Sequence, residues 1–466
     1  MKKILFSIIS IAVISAMVIS TSCKKEKEIV KEPGDTVKVV EKETEEVPVD
    51  NSTTLYVTGG HLTGSTTWTS AKKVLLSGWY YVDSNATLTI QAGTIIQGLV
   101  GTKAAIIIKR GGKIYAQGTS TQPIVFTSAA IPGLRKTGDI GGVILCGKAN
   151  TNVPGDNIQI EGGVDAYYGG SSDDDNSGII QYLRIEYAGY VFAPNKEING
   201  LTMGAVGSGT TIDHVQVSYG NDDGFEWFGG TVNCKYLISY KSLDDDFDTD
   251  YGYTGTVQFG LVIRDKNVAD AAGNSNGFES DNDGSGSTNT PITAPLFSNI
   301  SFFGPKMYDT TTSVSSYYQA GLYLRKNTML KVYNSLVAGW PYGLHVEGSA
   351  AQNNGTNGDL RVRYCVMAGN TTQYYAAYDQ TLYTNGVYNN KADSTITSLK
   401  TNIDIYTDGG GTTLLPSAGS FLLTGANFGE ISGNTFLNQT VTHIGAFGST
   451  DWTSGWANFD PQNKVY

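Results

Sequence analysis

The segment from Asp222 to Asp250 reads DDGFEWFGGTVNCKYLISYKSLDDDFDTD and contains one short phrase twice. The phrase is a turn residue, an apolar residue and three further strand positions. It occurs at Gly224–Phe228 and again, 22 residues later, at Asp246–Asp250. At the same offset, the acidic pair that begins at Asp222 coincides with the pair that begins at Asp244. Short strands at this repeat length are typical of the coils of a β-solenoid.

Further copies of the phrase extend the repeat along the chain. They lie at Gly277–Asp281, Gly321–Arg325 and Gly343–Glu347. A second apolar phrase alternates with the first, as in Ile212–Tyr219 and Val232–Tyr240. Insertions rich in Gly, Asn, Asp and Ser separate the copies, which is the composition expected at the corners of coils.

The copies also predict which side chains point inwards. Successive coils rise by about 4.8 Å, so residues one period apart should stack in columns. The inward column is wholly apolar and consists of Phe225, Phe247, Phe278, Leu322 and Leu344. We therefore predict an all-β chain that forms a right-handed parallel β-helix (solenoid) with capped ends. A β-sandwich or a β-propeller is the alternative, although a propeller repeats every 40 residues or so.

The open ends of a solenoid need covers, and tryptophans near both chain ends are candidates. Leu55–Gly98 is predicted to form the first coils and the N-terminal cap, and Phe447–Tyr466 the C-terminal cap. The tryptophans concerned are Trp68, Trp79, Trp452 and Trp456. Stacking of these rings on sugars is the alternative interpretation.

The first residues have the layout of a secretory signal. A positive start precedes an apolar run and a cysteine at position 23, which resembles a bacterial lipoprotein signal, although Ser20 stands where Leu is usual. We expect residues 1–22 to be the signal peptide, Cys23 to carry the lipid, and residues 23–52 to be a charged, flexible tether. Plain secretion is the alternative. Residues 53–466 are predicted to form a single β-helix domain that is anchored to the outer membrane, most simply at the cell surface.

Composition limits the partners. The net charge of −11 argues against binding nucleic acid, and a monomer is expected. Beyond Cys23 there are three cysteines, Cys146, Cys234 and Cys365, on apolar strand patterns. Their odd number and their spacing predict buried thiols rather than disulfides or a zinc site.

Three strings of the chain carry a resemblance to a known family. They are "GNDDGFEWFGGTVNCKYL", "LDDDFDTDYGYTG" and "DWTSGWANFDP". Together with the repeated phrase, they resemble the pectate-lyase-like right-handed parallel β-helix proteins, specifically uncharacterised surface lipoproteins of Bacteroidota. The resemblance covers most of residues 55–466 and implies the fold. It implies little about function, because that superfamily includes lyases, glycoside hydrolases and adhesins.

The positions between the apolar ones should face outwards and form two neighbouring columns. Their carboxylates, with those of the adjoining corner, are Glu226, Asp244, Asp245, Asp246, Asp248, Asp250, Glu279 and Asp281. Like charges at such spacings repel unless a cation intervenes, and calcium prefers oxygen ligands of this kind. We predict a calcium site here. Ordinary corner residues that bond to nearby backbone, and catalytic carboxylates, are the alternatives.

The sequence alone does not decide whether the protein is an enzyme. Asp222 and Asp223 resemble the paired aspartates of polygalacturonase-like hydrolases, but the Gly-His-Gly and Arg-Ile-Lys phrases of that family are absent. Lys235 and Arg264 are candidates for the base of a lyase. The leading hypothesis is a non-enzymatic surface lipoprotein whose β-helical face binds a glycan or another cell. A calcium-dependent polysaccharide lyase or a glycoside hydrolase that acts on acidic polysaccharide is the alternative.

Overall fold

A computed structural model of the chain describes residues 26–31, 37–42, 53–155, 157–192, 197–307, 313–393, 395–401 and 414–466. The chain divides into two compact units, Met1–Asn51 and Ser52–Tyr466. In the first unit, strand β1 (Glu26–Lys31) pairs antiparallel with β2 (Val37–Lys42). The signal peptide and Cys23 lie outside the described residues, and the tether stays a prediction. No helix within the described ranges is long and apolar enough to cross a membrane.

The regular secondary structure of the second unit consists almost entirely of short strands. In chain order they are β3 (Thr54–Leu62), β4 (Ser65–Trp68), β5 (Lys73–Val82), β6 (Thr87–Ile90), β7 (Ile95–Gly98), β8 (Ala105–Ile108), β9 (Lys113–Gln117), β10 (Ile124–Ser128), β11 (Gly142–Cys146), β12 (Ile158–Gln159), β13 (Tyr167–Tyr168), β14 (Gly178–Glu186), β15 (Leu201–Gly204), β16 (Thr211–Ser218), β17 (Phe225–Phe228), β18 (Asn233–Tyr240), β19 (Phe247–Asp250), β20 (Thr256–Ile263), β21 (Phe278–Ser280), β22 (Leu296–Phe303), β23 (Ala320–Leu324), β24 (Lys331–Tyr333), β25 (Leu336–Ala338), β26 (Tyr342–Val346), β27 (Arg361–Arg363), β28 (Val366–Ala368), β29 (Thr372–Tyr374) and β30 (Lys391–Asp393). Two α-helices, α1 (Ser349–Asn357) and α2 (Ala377–Thr384), follow β26 and β29.

The strands wind into coils with three sides. On one side, called the acidic face below, β15, β17, β19, β21, β23 and β26 pair in parallel, each with the next. The long strands β14, β16, β18, β20 and β22 turn a corner halfway and supply the other two sides. This architecture is a right-handed parallel β-helix, so the predicted fold is confirmed.

The interior follows the predicted column. Phe225 pairs with Phe247, and Phe247 pairs with Phe278. Leu322 then pairs with Leu344, and all five side chains of the column are fully buried. The two copies of the phrase that are 31 and 44 residues from their predecessors still fall into register, because the insertions leave the coil as loops. The three cysteines are buried and unpaired, as predicted.

One corner of the coils carries a stack of rings, called the aromatic column below: Tyr182, His214, Tyr236 and Phe259. Each of these residues has a positive φ, between 48° and 63°, which is a costly conformation for a bulky side chain. Neighbouring rings in the column stack with centroids 4.3, 4.3 and 4.9 Å apart. This contact offsets the backbone strain and gives His214 a structural role in the corner.

The solenoid ends are closed differently from the prediction. Trp68 is buried in the first coil and belongs to the interior cluster, as expected of a lid. Trp79 instead lies in a separate cluster outside the interior, where its ring contacts that of Phe192. At the other end, helix α2 places Leu382 and Tyr383 in the interior cluster. The prediction of tryptophan caps was therefore wrong for Trp79.

Residues 414–466, called the strap below, have little regular structure and run back along the flank of the solenoid. From start to end, strap residues contact Asn334, then Gln258, then Gln216, and the carbonyl of Tyr466 reaches Lys73 in the second coil at 2.7 Å. Trp452 and Trp456 lie on the aromatic column and not at the end of the coils. The predicted C-terminal cap was wrong because these rings fit against the corner stack.

Three buried amide side chains hold the strap by paired hydrogen bonds. Gln258, for example, donates to the carbonyl of Asn438 at 3.0 Å and accepts from its N–H at 2.7 Å. Gln216 does the same with Asn458, and Asn334 with Asn427. Each of the three amide side chains thus bonds to the N–H and the carbonyl of one strap residue, as the backbone of a neighbouring strand would.

We expect Gln258→Ala to loosen the strap, because it leaves the N–H and the carbonyl of the half-buried Asn438 without their side-chain partner. The cost should be about 2–4 kcal/mol, since each orphaned group costs about 1–3 kcal/mol. Limited proteolysis should cut the variant first between residues 430 and 445. The exposed Gln380→Ala is the control, and equal protease resistance of the two variants would contradict this role of the amide.

Candidate functional site

Two adjoining cavities, of about 330 Å³ and 230 Å³, open on the acidic face and share Asp223, Asp244 and Gly273 in their walls. We call them together the acidic groove. Ten carboxylates line it: Glu161, Glu197, Asp222, Asp223, Glu226, Asp244, Asp245, Asp248, Asp270 and Glu279. The groove therefore brings ten acidic side chains together.

The strand register places the central carboxylates one above another. Glu226 of β17 pairs with Asp248 of β19, which pairs with Glu279 of β21. Tyr323 follows in β23, where it pairs with Glu279. Because adjacent coils are about 4.8 Å apart, these carboxylates repel one another strongly unless protons or cations intervene.

The corner that precedes these strands is a ladder of side chains bonded to backbone. The N–H of Asp223 donates to Asn199 at 3.3 Å, and the N–H of Asp245 donates to Asp223 at 2.8 Å. The N–H of Asn276 then donates to Asp245 at 2.5 Å. The interpretation as corner residues thus accounts for one oxygen each of Asp223 and Asp245, and leaves the second oxygen of each for another partner.

The remaining oxygens converge in two groups that share Asp223. The first group is Asp222, Asp223 and Asp244, and the second is Asp223, Glu226 and Asp248. In each group the oxygens lie within 4.8 Å of one another. Buried oxygens of Asp244 and Asp248 have no hydrogen-bond partner among the residues that the structure describes. Buried acceptors without a donor need a proton or a cation, so the donor set fits a divalent metal ion.

The same crowding changes the acidity of the groove. Burial, and then the neighbouring carboxylates, raise the pKa values of Asp223, Glu226 and Asp248 well above the usual range. The pKa of Asp244 rises to about 7 for the same two reasons, although Arg264 opposes part of the increase. In the absence of a cation, these groups therefore bind protons more readily than ordinary surface carboxyl groups do.

Positive charge is confined to one end of the groove. Arg325 forms ion pairs with Glu279 and, at 2.8 Å, with Asp281, which Lys326 also contacts at 2.9 Å. These two carboxylates are therefore balanced. Asp250 accepts from the N–H of Tyr251 at 2.6 Å and belongs to neither group of converging oxygens. The predicted cation patch thus has one end where carboxylates pair with basic side chains and a centre where carboxylates face one another.

Asp246 and Arg264 form a structural pair beneath the corner. Both side chains are fully buried and lie 3.3 Å apart, and Arg264 also donates to the carbonyls of Leu243 and Asp244 at 3.0 and 2.7 Å. Neither side chain lines the groove. This corrects the assignment of Asp246 to the cation patch and of Arg264 to catalysis.

Lys235 is also distant from the acidic face. It lies in the first half of β18, and its Nζ sits 4.5 Å from the ring centre of Phe436 in the strap. It is not among the residues that line the groove, so the structure does not bring this catalytic candidate to the carboxylates.

Several lining residues escaped the sequence analysis. Glu161, Glu197 and Asp270 come from loops between strands, and the repeat contains no position for them. Asn199 joins one of them to the column, because its amide donates to Glu161 at 2.5 Å and also to Glu226. The pKa of Glu161 rises to about 7, chiefly through burial. An excess of Asp and Glu in the insertions was the only available signal.

A sequence profile of the pectate-lyase-like beta helix domain matches residues 60–413. The chain belongs to that family. The match includes every strand of the acidic face and ends before the strap. Neither a curated protein nor a solved structure matches this member of the pectate-lyase-like family. The family assignment concerns the fold, and function has to be argued from the groove itself.

Proposed function

We propose that this protein is a cell-surface lipoprotein that binds calcium in the acidic groove and uses the bound ion to hold an acidic glycan. The observation that carries the proposal is the pair of carboxylate groups that share Asp223 and contain buried oxygens without partners. The chemistry of oxygen-only ligands favours calcium over transition metals, which prefer nitrogen or sulfur.

Each of the two groups offers three carboxylates as calcium ligands. Asp223 would contact ions in both groups, with Asp222 and Asp244 on one side and Glu226 and Asp248 on the other. Calcium takes six to eight oxygen ligands, so water or a glycan carboxylate would complete each set. A bound cation would thus convert a groove that repels polyanions into one that attracts them.

A role in binding is favoured over catalysis by lysine or arginine. Arg325 is engaged by two carboxylates, and Arg264 is buried. A glycoside hydrolase acting on acidic polysaccharide is the second candidate, because Asp222 and Asp244 lie within 4.8 Å of each other in one cavity. Such enzymes use two carboxyl groups, one as acid and one as base or nucleophile.

The membrane anchor is part of the proposal. Cys23, which follows the signal-like segment, would carry the lipid, and the charged residues 24–52 would hold the β-helix away from the outer membrane, as in surface lipoproteins of Bacteroidota. Metabolic labelling with a fatty acid tests this step. Label that persists in Cys23→Ala would contradict it.

Calorimetric titration of calcium into the protein that begins at residue 24 tests the ion site. We expect saturable binding that Asp248→Asn weakens at least tenfold, because this change removes one charged ligand from the second group. Asp250→Asn is the matched control, since Asp250 lies two positions along the same strand and outside both groups. Absence of binding heat, or equal loss in both variants, would contradict the assignment.

Incubation with polygalacturonate separates binding from catalysis. Retention of the protein on the polymer in calcium, and its release by EGTA, is the result expected for a binding protein. New reducing ends that disappear in Asp222→Asn would instead support the hydrolase, and unsaturated products would support a lyase.

A further inference from the structure

A third cavity, of about 600 Å³, lies between the strap and the aromatic column, away from the acidic face. Its walls include Tyr236 and Phe259 of the column and His443 and Trp452 of the strap. It shares no residue with the acidic groove. We call it the strap pocket. Its volume lies within the range of about 300–1,000 Å³ that is common for small-molecule sites.

The strap pocket is held open by fixed contacts. Gln258 binds the backbone of Asn438 on one side, and Ser301 accepts from the N–H of Ala446 at 2.9 Å on the other. Between these points the carbonyl of His443 accepts from Asn299 at 2.8 Å. The strap therefore arches over the column between anchored positions, and the cavity is part of the fold.

The lining of the strap pocket is uncharged. It contains no Asp, Glu, Lys or Arg, and burial lowers the pKa of His443 to about 4, so that its ring is neutral at physiological pH. Aromatic rings form the floor, and hydroxyl groups of Thr440 and Ser449 lie at the exposed rim. The Nε2 atom of His443 is buried and has no partner among the described residues.

These features select the class of ligand. A charged ligand would enter without a counter-charge, which is costly. A purely apolar ligand would cover the exposed Ser449 hydroxyl at the rim without replacing its hydrogen bonds to water. A neutral sugar offers both apolar C–H faces for aromatic side chains and hydroxyl groups for the polar atoms. We propose that the strap pocket binds a neutral saccharide, independently of calcium.

The test uses the chain from residue 24 onwards on an array of neutral and acidic oligosaccharides in EGTA, followed by calorimetry with each neutral hit. Ser449→Trp fills the pocket entrance, and Ser454→Trp, an exposed strap residue outside the lining, is the matched control. We expect a neutral saccharide to bind in EGTA, and its affinity to fall at least tenfold in Ser449→Trp alone.

Thr450→Trp provides a second variant at another exposed position of the pocket lining. We expect about a tenfold loss of affinity with little change in melting temperature. The proposal is overturned if no neutral saccharide binds, or if binding survives both pocket variants. Binding that requires calcium and is lost in Asp248→Asn would belong to the acidic groove, and would overturn this inference while supporting the proposed function.

Discussion

Without divalent cations, the folded protein should lose stability as the pH rises from about 4 to about 8. Burial and neighbouring carboxylates raise the pKa of Asp244 from 3.8 to about 7, and burial raises the pKa of Glu279 from 4.5 to about 8 although its ion pair with Arg325 opposes part of the increase. Between the unfolded and folded pKa values, the folded state binds more protons, so its stability falls as the pH increases through this window. For Asp244 alone, the shift corresponds to about 4 kcal/mol of folding free energy.

Calcium should remove this loss at pH 7–8, because the ion replaces the protons as the partner of the carboxylates. Melting temperatures measured across the pH range in EGTA and in calcium test the prediction. Asp248→Asn should melt higher than the unmodified protein in EGTA at pH 8 and should respond less to calcium. Asp174→Asn, an exposed carboxylate, is the control. A flat pH profile in EGTA would show that the carboxylates of the groove are not forced together.

The solenoid and its acidic column were predictable from the sequence because the register depends on a repeat. An inward position is shared by every coil, so Phe225, Phe247 and Phe278 identify it together even though the coils differ in length. The same register predicted that Glu226 and Asp248 are neighbours. Periodic features of this kind are local in the sequence and need no knowledge of the loops.

The same register also led to one wrong assignment, in which Asp246 was placed among the outward-facing ligands of the cation site. In the aligned phrase, it occupies the position of Gly224 and Gly277, where small residues indicate a crowded place next to the neighbouring coil. A carboxylate at such a position cannot reach the solvent side. It needs a buried partner, and this partner is Arg264, the first residue after strand β20.

The loops and the strap were beyond the sequence analysis for a different reason. Glu161 and Asp270 reach the groove through insertions whose paths depend on tertiary contacts. The sequence did not decide whether Trp452 and Trp456 cover the open end or the flank of the solenoid, since both offer apolar surface. The choice follows from the corner residues with positive φ, such as Tyr236, whose stacked rings create the surface that the strap covers.

Replacement of Arg264 should strongly destabilise the fold. Arg264→Leu would leave the buried carboxylate of Asp246 without a counter-charge and would remove the donor of the Asp244 carbonyl. Breaking a buried ion pair from one side costs about 3–5 kcal/mol. We expect the urea midpoint and the melting temperature to fall accordingly.

Arg361→Leu is the matched control, because Arg361 pairs with Glu430 at 3.5 Å near the surface, where such a pair contributes at most about 1 kcal/mol. The double variant Arg264→Leu/Asp246→Leu should recover part of the loss, since no buried charge is left unpaired. If Arg264→Leu instead melted with the unmodified protein, the pair would not hold the corner together.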